Sequence, residues 1–518
     1  MLNVVGKVSG ALFGRSVHPM AEIKLAKKLI AELPVYDSAL TLEEIGFWLE
    51  SASRAEWFTL AYRFELLGLL DQAAKGHQRK ITHEYLANDR REKVRANKLW
   101  TTIFESWKML GSAYIRCIDQ FQSDAGDAAT NAKYLPVIVA RALRALTMQL
   151  KWILQRYGAV DDRLWDDLGR IYQFAETRDI ATVVVKIYPG VQGRSTVQRE
   201  FLKAMMLSAS STHGLTPIAQ EIAERTVAQL ADMYVMQPQP VSGSNHCFDL
   251  WTRRKPARIF KGIESTPTMR FFGPGAALPA LEQLIQKIKT GDRAPSHFDI
   301  GVSFEPDLVL PVMQHLALYW SDNPPARGSE RRKIAARITV VRTFTQMLTN
   351  ILSAADDDSL DFMPLDGSES WIIENVSDGG FGAIIPPLKG DWVRIGRVLG
   401  VQTETSQHWG VGVVRRITRA NLQQRSVGIQ LLSNTAIAVK LLPSGDHPAS
   451  NPTQKGYPAV MLSTAPNPNG EIDLLLRARS FIPDQRFDLD VNGKQYHLMP
   501  SKLVEVGDNF DLARFKVV

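Results

Sequence analysis

The hydrophobic period of this chain changes once, near residue 326, and that change excludes a single layered fold. Over the first 235 residues apolar side chains recur every three or four positions. In "DDRLWDDLGRIYQFAE", for example, Leu164, Leu168, Ile171, Tyr172 and Ala175 share one helical face. From "NPPARGSERRK" onward the runs are short, β-branched and evenly punctuated: "RITVVRTF", "SWIIENV", "FGAII", "DWVRIGRVLGVQ", "HWGVGVVRRIT", "RSVGIQLL". Such spacing belongs to a small antiparallel barrel or sandwich. At 518 residues the chain also exceeds one ordinary core. We therefore expect a multidomain α+β protein. Its parts are an all-α region over 1–238, a mixed α/β connecting region over 239–325, an antiparallel β-barrel over 326–435 and, over 436–518, a β extension packed on the barrel or a small module of its own.

Local signals fill in this outline. Pro19 suits the first turn of a helix over "SVHPMAEIKLAKKLIAEL". Thr41 and Glu44 have the spacing of a capping box. "MQPQPVSGSNH" reads as a linker. After it, strands are expected at "RIFKGI" and "TMRFF", and helices at "ALPALEQLIQKIKTG" and "EPDLVLPVMQHLALYWSD". Asn492-Gly493 suits a two-residue hairpin turn. The many aromatic residues of the helical part stand at helical spacing and read as core.

Composition narrows the function. The two cysteines, Cys117 and Cys247, cannot form a disulfide framework and fit a reducing, cytoplasmic location. His246 beside Cys247 has no second pair at ligand spacing, so no metal is expected. "YLPVIVARALRALTMQLKWIL" is interrupted by Arg141, Arg144 and Lys151, so no membrane span is expected. "MLNVVGKVSGALFGRSV" reads as a mature N-terminus rather than a signal peptide. The net charge of +7 permits an anionic partner without naming one. Walker, GxSxG and HExxH motifs are missing, so no enzymatic role is expected. "GPGAAL", Gly273 to Leu278, reads as a helix entry rather than a phosphate cradle. "WTRRKPARIFKG" is either a nucleic-acid patch or a solvated strand edge, and the edge is the plainer reading.

One stretch does not fit a plain strand. "SWIIENV" breaks into Ser377, Asp378, Gly379 and Gly380, then resumes through Gly382 as "AII". Asn375, Ser377 and Gly380 occupy the fixed positions of (D/N)xSxxG. Upstream, across a first strand, lies the arginine cluster of "ARGSERRKIAARITVV". In this order the elements resemble a PilZ domain, the small barrel that in many bacterial proteins binds cyclic di-GMP. The resemblance spans about Ala326 to Ser433. It implies a cyclic di-GMP site formed by Arg331, Arg332, Arg337, Asn375, Ser377, Gly379 and Gly380. The sequence departs from the family twice. The family's RxxxR motif would place its second arginine at Arg337, and four residues earlier stands Lys333, which lacks the planar fork of arginine. A long acidic insertion, "NILSAADDDSLDFMPLDGSE", with Asp356, Asp357 and Asp358, also separates the first strand from the motif.

The chemistry of such a site is coherent. Guanidinium groups pair with phosphate through a fork, stack on purines and donate to guanine O6 and N7. Asn375 offers a donor and an acceptor, Ser377 a hydroxyl, and the glycines admit a close approach. The expected function is a non-enzymatic cyclic di-GMP effector without other cofactors. Its arginine segment would order on binding, and its helical region would signal to a protein partner. The alternatives are an adaptor whose degenerate barrel binds no nucleotide, and, ranking last, a nucleic-acid binder using "WTRRKPARIFKG" with Arg415, Arg416 and Arg419.

Overall fold

The computed structural model describes residues 18–87, 93–123, 128–189, 193–260, 262–291, 306–325, 332–353, 367–386, 392–406, 408–419, 424–444, 456–491 and 493–518. They fall into two compact units. One comprises 1–155, 160–210 and 221–322, and the other 156–159, 211–220 and 323–518.

In the first unit the helices are α1 (Ile23–Ala31), α2 (Ser38–Arg54), α3 (Leu60–Ala87), α4 (Lys93–Ser123), α5 (Ala128–Asn131), α6 (Leu135–Gln155), α7 (Asp162–Thr177) and α8 (Val197–Ala209). Helix α9 (Pro217–Gln229), which belongs to this unit from Glu221 on, follows, then α10 (Ala277–Lys289) and α11 (Pro306–Trp320). Strands β1 (Val235–Gln237), β2 (His246–Asp249), β3 (Ala257–Arg258) and β4 (Met269–Gly273) form a sheet in the order β1-β4-β2-β3. The mixed region therefore belongs to the same unit as the helices. Its ties include Asn245 Nδ2, which donates to the Trp320 carbonyl at 2.6 Å, and Trp320 Nε1, which donates to Ser210 Oγ at 3.0 Å.

Two helix starts differ from expectation. Helix α1 begins at Ile23, and Pro19 lies in the turn before it. Helix α2 is capped by Asp37, whose carboxylate accepts from Ala39 N and Leu40 N at 3.0 and 3.1 Å. Thr41 is already inside the helix, its hydroxyl donating to the carbonyls of Pro34 and Asp37. An aspartate free to accept two N–H groups satisfies the helix end one turn earlier than Thr41 would. The apolar face expected for α7 is buried as the 3.6 period requires. Helix α6 is largely enclosed, and two of the charges that interrupt it, Arg141 and Lys151, have close polar partners. Lys151 Nζ lies 2.8 Å from Glu221 and 2.7 Å from Glu224, and Arg141 donates to Tyr114 Oη at 3.0 Å.

The second unit holds two closed barrels. Strands β5 (Arg332–Val341), β6 (Ser368–Ser377), β7 (Gly380–Ile385), β8 (Val398–Thr403), β9 (Gly410–Arg419) and β10 (Arg425–Ser433) close in the order β10-β7-β6-β5-β8-β9. Strands β11 (Ile437–Pro443), β12 (Tyr457–Met461), β13 (Glu471–Arg477), β14 (Phe487–Val491), β15 (Lys494–Val506) and β16 (Phe510–Val517) close as β11-β12-β13-β16-β15-β14. The C-terminal strands thus close into a second barrel. Its hairpin pairs Val491 with Lys494, and Gly493 takes the φ of +75° that such a turn needs. Asn492 lies outside the described residues.

The first barrel buries Ile338, Trp371, Ile373, Phe381, Ala383, Ile385, Ile417, Val427 and Ile429. Between the barrels lies helix α12 (Phe344–Ser353). It buries Phe344, Met347, Leu348 and Ile351 against Val398 and Val411 of one barrel and Val460, Leu475 and Phe510 of the other. This helix begins inside the run expected to be strand "RITVVRTF" and includes the first residues of the expected acidic insertion. Its apolar spacing is helical, and a wedge between two barrels needs one apolar face rather than alternation. The rest of that insertion, with Asp356, Asp357 and Asp358, lies outside the described residues.

Candidate ligand-binding site

The (D/N)xSxxG residues sit at the β6–β7 hairpin of the first barrel. Ser377 pairs with Gly380 across a two-residue turn of Asp378 and Gly379. Asn375 and Ser377 are therefore strand residues, where the sequence suggested a turn. Ser377 Oγ donates to the Gly380 carbonyl at 3.1 Å and so closes the hairpin. The Gly379 carbonyl accepts from Leu431 N at 3.0 Å, which ties the turn to β10.

The glycines answer to three different demands. A Cβ on Gly380 would lie 2.0 Å from the Ile429 carbonyl oxygen, so the approach of β10 requires glycine there. A Cβ on Gly379 would meet nothing within 4 Å, which leaves that position open. A Cβ on Gly382 would lie 2.9 Å from both terminal atoms of the Asn375 amide, so the missing side chain gives Asn375 its place.

These residues form part of one row across the outer face of the sheet. Lys333 on β5 opposes Asn375 on β6, Asn375 opposes Gly382 on β7, Gly382 opposes Gly428 on β10, and Gly428 opposes Arg416 on β9. The alternate residues Phe381, Ala383, Val427 and Ile429 point into the barrel core. At the centre of the row two glycines leave a floor of bare backbone. The Asn375 side chain lies over one, and its Oδ1 is buried without a hydrogen-bond partner. Leaving such an acceptor unsatisfied costs about 1–3 kcal/mol, which a bound donor would recover.

The arginines divide. Arg332 opposes Val376 and Lys333 opposes Asn375, so both flank the motif strand. Both are exposed, and neither carries an ion pair among the described residues. Arg337 opposes Ile372, further along β6 and away from Asn375. Arg331 lies outside the described residues. The segment expected to be a flexible arm before the barrel is strand from Arg332 onward. Strand β6 runs on to Ser377 and so offers Arg332 and Lys333 pairing partners, and an irregularity between Lys333 and Ala336 takes up the extra residues.

Gly382 and Gly428 were not singled out from the sequence as ligand residues, and Arg416 was named only as a nucleic-acid contact beside Arg415 and Arg419. A signal was present: an isolated glycine within each of "FGA" and "SVGIQ", the mark of a strand approached by something else.

The other candidates have structural occupations. Arg258 donates to the carbonyls of Tyr319 and Ser321 at 2.9 and 2.7 Å, and Arg253 lies 3.5 Å from Asp166. Among the described residues β3 pairs only with β2 and is an edge. Lys261 lies outside the described residues. His246 is stacked on Phe272, and burial pushes its pKa down to about 4. Among the described residues no group of three His, Cys, Asp or Glu side chains could hold a metal, and no helix is long and apolar enough to cross a membrane. In "GPGAAL", a Cβ on Gly273 would lie 2.2 Å from the Gly243 carbonyl oxygen and one on Gly275 2.8 Å from that of Met233. Close backbone packing explains both. The first unit also carries a cleft of about 790 Å³, lined in part by Val184, Leu202, Tyr234, Val235 and Met236 of the edge strand β1 and its surroundings.

Two family models match the chain. Residues 24–239 match "Cyclic-di-GMP receptor FimW, N-terminal domain", and residues 367–437 match "Cyclic-di-GMP receptor FimW, middle PilZ domain". The second match includes Asn375, Ser377 and Gly380 and begins after the arginine strand. No curated protein and no solved structure matches the chain.

Proposed function

Because the chain belongs to the PilZ-domain family of cyclic di-GMP receptors, we propose that its first barrel binds cyclic di-GMP on the outer face around Asn375. In this reading Ser377, Gly379 and Gly380 shape the hairpin. Arg332, with Arg331 and Arg337 from the same segment, meets the phosphates, and the helical region carries the output to a protein partner. The observation that carries the reading is Asn375 Oδ1, a buried acceptor without a partner on a glycine floor beside Arg332 and Lys333. A guanine N–H donor would satisfy it.

Calorimetric titration of the full chain with cyclic di-GMP tests this. Saturable binding at micromolar concentration or tighter is expected, weakened at least tenfold in Asn375→Ala and in Arg332→Ala. Heats that do not saturate at millimolar ligand would overturn the reading. Hydrogen exchange over residues 24–239, with and without ligand, tests the output: altered protection there is expected, and unchanged protection would remove the signalling claim.

One observation favours a second reading, an adaptor whose barrel binds no nucleotide. Lysine rather than arginine opposes Asn375, and a point charge gives neither a fork nor a stacking plane. The cleft beside the edge strand would then seat the partner. Pull-down of a partner unaffected by Asn375→Ala, from protein that binds no cyclic di-GMP, would establish it.

A further inference from the structure

Resting on the reading above, we propose that Arg416 reads the guanine base of the ligand, from across the glycine floor opposite Asn375. Arg416 belongs to neither the arginine segment nor the (D/N)xSxxG motif. Its position follows from the row that runs Lys333, Asn375, Gly382, Gly428, Arg416. A Cβ placed on Gly428 would lie 3.3 Å from Arg416 Cβ and 3.6 Å from its Nε. The arginine side chain thus lies back over Gly428, as the Asn375 amide lies over Gly382. The two glycines are neighbours across β7 and β10. Two polar side chains consequently share one trough, a planar amide at one side and a planar guanidinium at the other.

That arrangement suits a flat base better than a phosphate alone. Because Gly382 and Gly428 carry no Cβ, the amide and the guanidinium lie low against the sheet, and adjacent strands are about 4.8 Å apart, so the edge of one purine can meet both groups. A guanidinium fork donates to O6 and N7 of guanine together. Adenine presents an N6 donor where guanine has O6, and an arginine cannot pair with it in that way. Arg416 therefore decides which base is accepted, while Arg332 and Lys333 at the far end of the row supply charge.

The test uses the full chain, with cyclic di-GMP and cyclic di-AMP as probes, in wild type, Arg416→Ala, Arg416→Lys and Gly428→Ala. Thermal unfolding confirms that each variant is folded. Arg416→Ala is expected to weaken cyclic di-GMP binding by roughly tenfold to a hundredfold and to leave the weaker cyclic di-AMP binding nearly unchanged. Arg416→Lys, which keeps the charge and loses the fork, is expected to behave like alanine in its loss of base preference. Gly428→Ala, which displaces the side chain without removing it, is expected to weaken cyclic di-GMP binding in the same direction. Equal losses for both dinucleotides would make Arg416 a phosphate contact and overturn the assignment. So would unchanged affinity in Arg416→Ala or in Gly428→Ala. Wild-type protein that binds neither dinucleotide would overturn the parent reading and this assignment together, whereas bound wild type with an indifferent Arg416→Ala overturns this assignment alone.

Discussion

Asn375 and Gly380 stand five residues apart and are held for opposite reasons. Gly380 serves the fold, because β10 passes where a Cβ would stand. Gly380→Ala is therefore expected to destabilise the second unit by roughly 2 kcal/mol or more, read as a lower urea midpoint, with ligand affinity falling only as the hairpin loosens. Asn375 costs the fold something, since its Oδ1 is buried and unsatisfied. Asn375→Ala is expected to lose ligand binding while its unfolding temperature stays level or rises. A marked drop in unfolding temperature would show that the amide is structural. The (D/N)xSxxG spacing was legible because the three positions are local. The neighbours over which the side chains lie, Gly382 and Gly428, were not, since Gly428 comes from a strand about fifty residues later in the chain.

Elements that depend on local period were read well, and those that depend on a distant partner were not. The α7 face follows from its own sequence. Strand β5 begins at Arg332 because β6 is long enough to pair with it, whereas α12 carries a helical period in its own residues Phe344, Met347, Leu348 and Ile351, hidden by the strand-like run before it. Lys151 of α6 likewise makes sense only beside α9. Lys151 is buried between Glu221 and Glu224. The lysine holds the Glu221 carboxyl below its usual range against the effect of burial. Lys151→Met would leave Glu224 without its lysine and Glu221 with Arg225 alone, at 2.9 Å, and a loss of about 3–5 kcal/mol is expected in chemical denaturation. A loss under 1 kcal/mol would mean that water reaches the pair.

Across the chain, two units predict two responses. In His246 the folded pKa is depressed by burial, to about 4. The unfolded chain takes up that proton near pH 6.5, so it gains relative to the folded state as pH falls from about 6.5 to 4. The first unit should lose up to roughly 3 kcal/mol across that window from this group, and His246→Gln should flatten the slope. Cyclic di-GMP should act on the other unit. At a hundred times its Kd it stabilises the bound form by about 2.7 kcal/mol, so calorimetry should show the barrel transition rising and no shift in Asn375→Ala. A ligand-induced shift confined to the first unit would move the binding site there.

Length, the change of period near residue 326 and the run from Asn375 to Gly380 were enough to set the class of fold and the family, because these signals are carried by residues close together in the chain. The closure of residues 437–517 into a second barrel, the joining of β1–β4 to the helical unit and the row from Lys333 to Arg416 were decided by pairing between distant segments. A strand's own residues set which of its side chains alternate, but its partner's register sets what each one faces. For that reason the motif was readable in one dimension, and the trough it lines became visible only when β5, β6, β7, β10 and β9 lay side by side.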